Sequence, residues 1–185
     1  DESTMKSSLI CMAVVTGALS LGFAQGPAKK PPLSPPAQTE VTIAGKALTI
    51  KYSAPSVRGR QIFGEGGVIS KDKTYPVWRA GANAATALHT DADLEIKGLA
   101  VPKGDYTIYV LANATPWQLI INKQTGQWGL TYDQAQDLGR VPMDMSKPPS
   151  PIETYKMTLS STGASTGKLQ LEWDNFIASV PFTVK

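Results

Sequence analysis

The chain has one cysteine and one histidine, Cys11 and His89, in 185 residues. A single cysteine excludes an internal disulfide, and the pair together excludes a zinc site built from several His and Cys ligands. Charge is scarce too, at 18% of residues, below the roughly 25% of an average soluble domain, so a disordered polyelectrolyte is not expected. Neither sign dominates: 18 Lys and Arg against 15 Asp and Glu give a formal net charge of +3, too small to mark a nucleic-acid binder. The glycine-rich stretch Glu65-Gly66-Gly67 lacks the Gly-Lys-Ser/Thr ending of a phosphate-binding loop, and no Gly-x-Ser-x-Gly nucleophile elbow occurs. No repeat of 20 to 50 residues is present, which excludes propellers and solenoids.

What is there begins with an export pattern. Met5-Lys6 precedes fifteen uncharged residues, Leu9 to Phe23, and Gly22-Phe23-Ala24 puts small residues where a signal peptidase cuts. The run is shorter than the about 20 apolar residues of a membrane span and is diluted by Thr16, Gly17, Ser20 and Gly22. Residues 1–24 are therefore expected to be a signal peptide cut after Ala24, with the mature protein periplasmic or secreted and not inserted in a membrane. The four residues before Met5 fit no targeting pattern and read as an upstream misassigned start or an added remnant. Ile10 before Cys11 is not the small residue a lipidation signal wants. Cleavage would remove the cysteine, leaving no thiol nucleophile and no redox switch. Five of the twelve residues Gly26–Ala37 are proline, so residues 25–37 read as a semi-rigid extended linker and residues 38–185 as one domain.

Within that domain the pattern is strands. Leu48, Ile50 and Tyr52 alternate with Thr49, Lys51 and Ser53, and the same period of two recurs at Leu94–Leu99, Met157–Ser160 and Leu169–Asp174. Tyr106–Leu111 is apolar on both faces and is expected to be central. Pro102-Lys103-Gly104, Asn113–Pro116, Lys123–Gly126 and Thr162–Gly167 supply turns. The spacing predicts eight to nine strands in an all-β antiparallel sandwich or jelly roll, with Trp117–Asn122 and Gln127–Thr131 as one hairpin and one helical turn at Tyr132–Leu138. Ala54–Gly67, Tyr75–Thr86 and Gly139–Pro151 read as loops, where a rigid scaffold tends to carry function.

The candidate site residues gather in those loops. Arg58-Gly59-Arg60 can aim two guanidinium forks the same way, a geometry suited to carboxylate or phosphate. Trp78-Arg79 sets an indole beside a guanidinium, and Gly81 and Asn83 permit a sharp turn there. Trp117 and Trp128 could present both rings on one surface as a platform for sugar rings, although tryptophan on a strand is more often core. Trp173, in register with Leu169 and Leu171, reads as core. His89 is the one histidine available to acid–base chemistry, but a lone strand histidine is more often a hydrogen-bonded structural residue. Asp91, Asp93 and Glu95 share a strand face at period two; without a calcium loop they read as a solvated acidic face, and no metal is expected. Asp137 and Arg140 are spaced to pair, and Glu153 could partner one of the lone arginines.

Four stretches carry a family resemblance: Ser53–Gly64 (SAPSVRGRQIFG), Val77–Thr86 (VWRAGANAAT), Pro102–Tyr109 (PKGDYTIY) and Trp117–Met143. The last includes Asn122, Gln127-Trp128-Gly129, Tyr132, Asp137 and Arg140. In order and wording they resemble DUF2911, a bacterial family of exported domains of unknown function. The resemblance implies a β-rich exported domain and no established activity. Where members of that family often carry an acidic residue two positions before Thr86, this chain has Ala84, and no carboxylate role is carried over to it.

The sequence thus leads to an exported binding module for an anionic or hydroxyl-rich ligand, a glycan among the options. Its site would comprise Arg58, Arg60, Trp78, Arg79, Asn83 and Arg140, with Trp117 or Trp128 as a stacking surface. No cofactor and no nucleic-acid partner are expected. Two alternatives stand beside it: a periplasmic hydrolase using His89 or a carboxylate pair, and a purely structural exported domain.

Overall fold

A computed structural model of the chain describes residues 32–185. The expected signal peptide and most of the expected linker lie outside those residues. Thirteen strands form two antiparallel sheets packed face to face. The larger sheet runs β1 (Pro36–Ile43), β2 (Lys46–Ser53), β4 (Thr86–Thr90), β7 (Gly104–Leu111), β8 (Gln118–Asn122), β9 (Asp137–Pro142), with the two-residue β3 (Val77–Trp78) also on β7. The smaller runs β11 (Ile152–Ser161), β12 (Thr166–Asp174), β13 (Phe176–Val184), β5 (Leu94–Ile96), β6 (Leu99–Val101), with β10 (Asp144–Ser146) also on β13. The all-β sandwich is as expected, and it is not a closed barrel.

The alternation in the sequence becomes the two faces of each strand. Leu48 and Ile50, Leu88, Ile108 and Val110, and Leu119 and Ile121 point inward from the larger sheet; Met157, Leu169, Leu171, Val180 and Phe182 meet them from the smaller. One end of this core is aromatic. Phe63, Trp78, Trp117, Tyr155, Trp173 and Phe176 pack together there, with Trp78 stacked on Trp173 at 5.8 Å and 22°. Burying such rings contributes roughly 1.5–3 kcal/mol or more each, which explains why Trp78, Trp117 and Trp173 lie inside.

Several expectations need correction. Thirteen strands stand where eight or nine were expected, in part because Leu94–Leu99 is not one strand: Lys97-Gly98, at φ 48° and 86°, turns it into the hairpin β5–β6. Asp91 and Asp93 therefore do not share a strand face with Glu95; they lie where the chain crosses from the larger sheet to the smaller. β3, β10 and the larger part of β9 fall within stretches read as loops, and β9 begins inside the expected helical turn. The partners of β8 are β7 and β9, and Gln127–Thr131 makes only a single bridge, Trp128 to Ala84. The first strand begins at Pro36, and Pro35 already accepts a hydrogen bond from Ala54 at 2.9 Å. The expected helical turn is a 3-10 turn, Gln134–Gln136, with the Asp133 side chain accepting from the Ala135 N–H.

β7 is central, as its two-faced apolar pattern implied. Its outer face is covered by the segment 123–136, which runs over the sheet as a strap. Thr107 donates to the Gln124 carbonyl at 2.7 Å and Tyr109 to the Thr131 carbonyl at 2.9 Å, so the strap's backbone groups are satisfied by side chains of the strand beneath. Val77, Tyr109 and Ile120 form a small second core under it.

Candidate functional site

The 79–85 loop owes its shape to backbone that few residues tolerate. Ala80 and Asn83 adopt φ of 50° and 61°, and Ala80 is fully buried. A left-handed alanine costs about 1–2 kcal/mol, so the surroundings must hold it. They do: Thr86 donates to the Ala80 carbonyl at 2.9 Å, and the Trp78 indole N–H donates to the Gly81 carbonyl at 3.1 Å. Gly81 lies against β2, where a Cβ would come within 3.0 Å of the Ser53 carbonyl oxygen. The loop is thereby pinned with Arg79 on one side.

Arg79 is mostly buried, with 12% of its side chain exposed. One terminal nitrogen donates to Asp72 Oδ2 at 3.2 Å and the other to the Asn83 carbonyl at 3.2 Å. Its Nε–H is buried and, among the described residues, has no acceptor. A neighbouring turn presents the other two loop arginines. Arg58 and Gly59 have φ of 51° and 68°, and Arg60 N–H closes back on the Val57 carbonyl, a type I′ geometry. The Arg60 guanidinium donates to the carbonyls of Val57 (3.0 Å) and Ser56 (2.6 Å), and that of Arg58 to Leu33 (2.9 Å). Among the described residues neither guanidinium has a carboxylate within ion-pair distance. Glu153 accepts from the Arg58 backbone N–H at 2.8 Å instead.

Arg60, Trp78 and Arg79 line one cavity of about 120 Å³, with Asp72, Ser34, Gly81 and Ala82 around it and Trp173 in its wall. Asn83 adjoins it, its amide donating to the Ser34 carbonyl at 3.4 Å. The structure brings these residues together from three separate stretches. Two guanidiniums against one carboxylate leave the cavity positive, and the low-dielectric indole walls strengthen that field. The arrangement can take an anion of a few atoms. Asp72 was not foreseen: it lies seven residues before Arg79, beyond a 3-10 turn at Ile69–Lys71 that nothing in the sequence announces.

Trp117, Trp128 and Arg140 are elsewhere. Trp117 is buried in the aromatic core and offers no surface, whereas Trp128 is 56% exposed on the strap, so the two rings do not share a face. Arg140 pairs with Asp137 at 2.8 Å, as its spacing implied, and also donates to the Tyr132 hydroxyl at 2.7 Å. Tyr132 donates in turn to Asp137 at 2.7 Å; burial, and then that bond, push its hydroxyl up to about 12. Asn122, fully buried, donates to the Asp133 carbonyl and to Asp137 and accepts from the Gln124 N–H. These four side chains anchor the strap.

His89 stands apart from Arg79, on the outer face of the larger sheet. Its Nδ1 meets Asp105 at 2.8 Å and its Nε2 meets Asp91 at 3.1 Å. The bond to Asp105, and then that to Asp91, raise its pKa above the ordinary 6.5. Both ring nitrogens are engaged, so the ring is fixed in orientation. Asp93 accepts from the Lys103 N–H and Glu95 pairs with Lys185, so the three acidic residues serve three separate contacts.

Fold and site together define an all-β sandwich in which Arg60 and Arg79 meet across one cavity. The model of the family described as protein of unknown function (DUF2911) matches residues 34–182, and the chain belongs to that family. No curated protein and no solved structure matches it.

Proposed function

We propose that this domain is an exported binding module whose ligand carries a small anionic group, a carboxylate or a phosphate, received in the cavity of Arg60 and Arg79. One observation carries the reading: the guanidiniums of Arg60 and Arg79 line one cavity in which Asp72 is the single carboxylate among the described residues. An anion of a few atoms placed there gains charge-assisted hydrogen bonds from a planar fork, about twice as strong as neutral ones. Trp78 contributes wall and dielectric rather than a stacking face. Arg58 adds long-range charge, and Arg140 and Trp117 act in the scaffold. An acidic sugar is one ligand of this class.

The test is calorimetric titration of the domain with inorganic phosphate and with acetate, alongside Arg60→Ala and Arg79→Lys. Arg79→Lys keeps the charge and the ion pair to Asp72 but removes the fork. Binding by the parent that falls at least tenfold in both variants supports the reading. No heat with either anion, or heat unchanged in both variants, overturns it and leaves the purely structural role. Export belongs to the same proposal and rests on the Met5–Ala24 pattern; cell fractionation of the full-length chain tests it.

The hydrolase reading draws on the His89–Asp105 contact, which resembles a base and its orienting acid. Against it, Asp91 holds the other ring nitrogen, so a substrate proton finds no acceptor there until Asp91 moves.

A further inference from the structure

A second concavity lies on the outer face of the larger sheet and shares no lining residue with the Arg79 cavity. Strand register explains it. Thr49, His89 and Asp105 stand directly opposite one another across β2, β4 and β7, and Lys51, Ala87 and Thr107 form the next outward row. In that second row Lys51 is long and Thr107 is covered by the strap, while Ala87 offers only a methyl. The missing side-chain volume at Ala87, walled by Thr125 of the strap, leaves a groove of about 280 Å³.

The polar groups around it are of both kinds and their charges balance. Lys51 stands against Asp105 as the two opposite full charges of its lining, so the groove has no net charge to select an ion. Asp105 spends one carboxylate oxygen on His89. Among the described residues its other oxygen, the Lys51 ammonium and the hydroxyls of Thr49 and Thr125 have no hydrogen-bond partner. His89 sits between two carboxylates and fixes the position of Asp105, so little ordering remains for a ligand to impose.

We infer that this groove binds an uncharged polyhydroxylated molecule the size of one sugar ring. Neighbouring hydroxyls of such a ring donate to the free oxygen of Asp105 and accept from Lys51, and its C–H face rests on the Ala87 methyl. The volume lies just under the usual range for drug-sized ligands, which sets the size. The inference does not rest on the anion reading, since no arginine takes part.

The experiment is a backbone-amide NMR titration of the folded domain with glucose, galactose and N-acetylglucosamine, each to about 50 mM, which detects a millimolar complex. Saturating shifts confined to residues 49–51, 87–89, 105 and 125 are expected with at least one sugar. Ala87→Leu, which fills the groove from an exposed position, should weaken that binding at least tenfold, as should Thr49→Val, which removes a hydroxyl at constant volume. Arg79→Lys should leave it unchanged, and so separates this site from the anion cavity. Absence of saturating shifts with all three sugars, or affinity that survives both Ala87→Leu and Thr49→Val, overturns the inference.

Discussion

Arg79 rests on Gly129. A Cβ at position 129 would come within 2.7 Å of the Asn83 carbonyl oxygen and would overlap Arg79 Cδ, so only the absence of a side chain there lets the strap close over the arginine stem. Gly129→Ala should therefore cost about 1–3 kcal/mol, the usual penalty for forcing extra volume into a packed place. Urea denaturation measures it. The same variant should weaken anion binding, because the guanidinium cannot keep its position while its stem is displaced.

Asp72 and a bound anion compete for one guanidinium. Asp72→Asn removes the competing charge while keeping a hydrogen-bond acceptor for Arg79. Phosphate affinity should rise by about tenfold, close to 1.4 kcal/mol, in the titration that tests the parent. A fall in affinity would mean that Asp72 chiefly positions Arg79 and does not compete with the ligand.

Asn122 makes three hydrogen bonds and has no contact with water. Asn122→Ala leaves Asp137 and the Gln124 N–H without those partners, and a loss of about 2–4 kcal/mol is expected. Hydrogen exchange should localise the effect. Amides of residues 123–136 should lose protection while those of β12 and β13 keep theirs.

His89 sets a pH dependence of stability. Its folded pKa is raised above 6.5 by Asp105 first and by Asp91 second, so folding favours the protonated ring. The contribution is fully present below about pH 6.5 and is lost as pH rises through the folded value. The surroundings that face the ring are Asp91 on its own strand, Asp105 on β7 and Lys51 on β2. All three groups in the bonded set are exposed, so the effect is that of a surface pair and small. The melting temperature of the parent relative to His89→Gln should fall between pH 6 and pH 8; a constant difference would sink the assignment.

The sandwich and most of its core were legible because alternation survives any tertiary context in which one strand face is buried. Leu48, Ile50, Leu169 and Leu171 show this directly. Turns were less legible where the residue pair was atypical. Ala44-Gly45 and Lys97-Gly98 adopt the left-handed pair of a tight hairpin without the Asn or Asp that usually marks it, so β5 and β6 merged into one expected strand. β9 was hidden by Gly139 and Pro142, residues that argue against a strand yet fit an edge.

At the site, Arg60, Trp78, Arg79 and Asn83 were legible as a local vocabulary of arginine, indole and turn. Their distribution between outside and inside was not, since Trp78 and Trp117 are placed by three-dimensional packing at the aromatic end. The groove was illegible for a different reason. It exists because Ala87 is small relative to its neighbours across the sheet, and those neighbours, Lys51 and Thr107, are known only once the register is.

β13 has a place in the order of events that follows from its place in the smaller sheet. It lies between β12 on one side and β5 with β10 on the other, and in chain order it comes after every other strand described. Without residues 176–184 the pair β11–β12 and the hairpin β5–β6 share no hydrogen-bonded neighbour in this sheet. The smaller sheet is consequently one continuous layer only when its last strand is seated between its two halves.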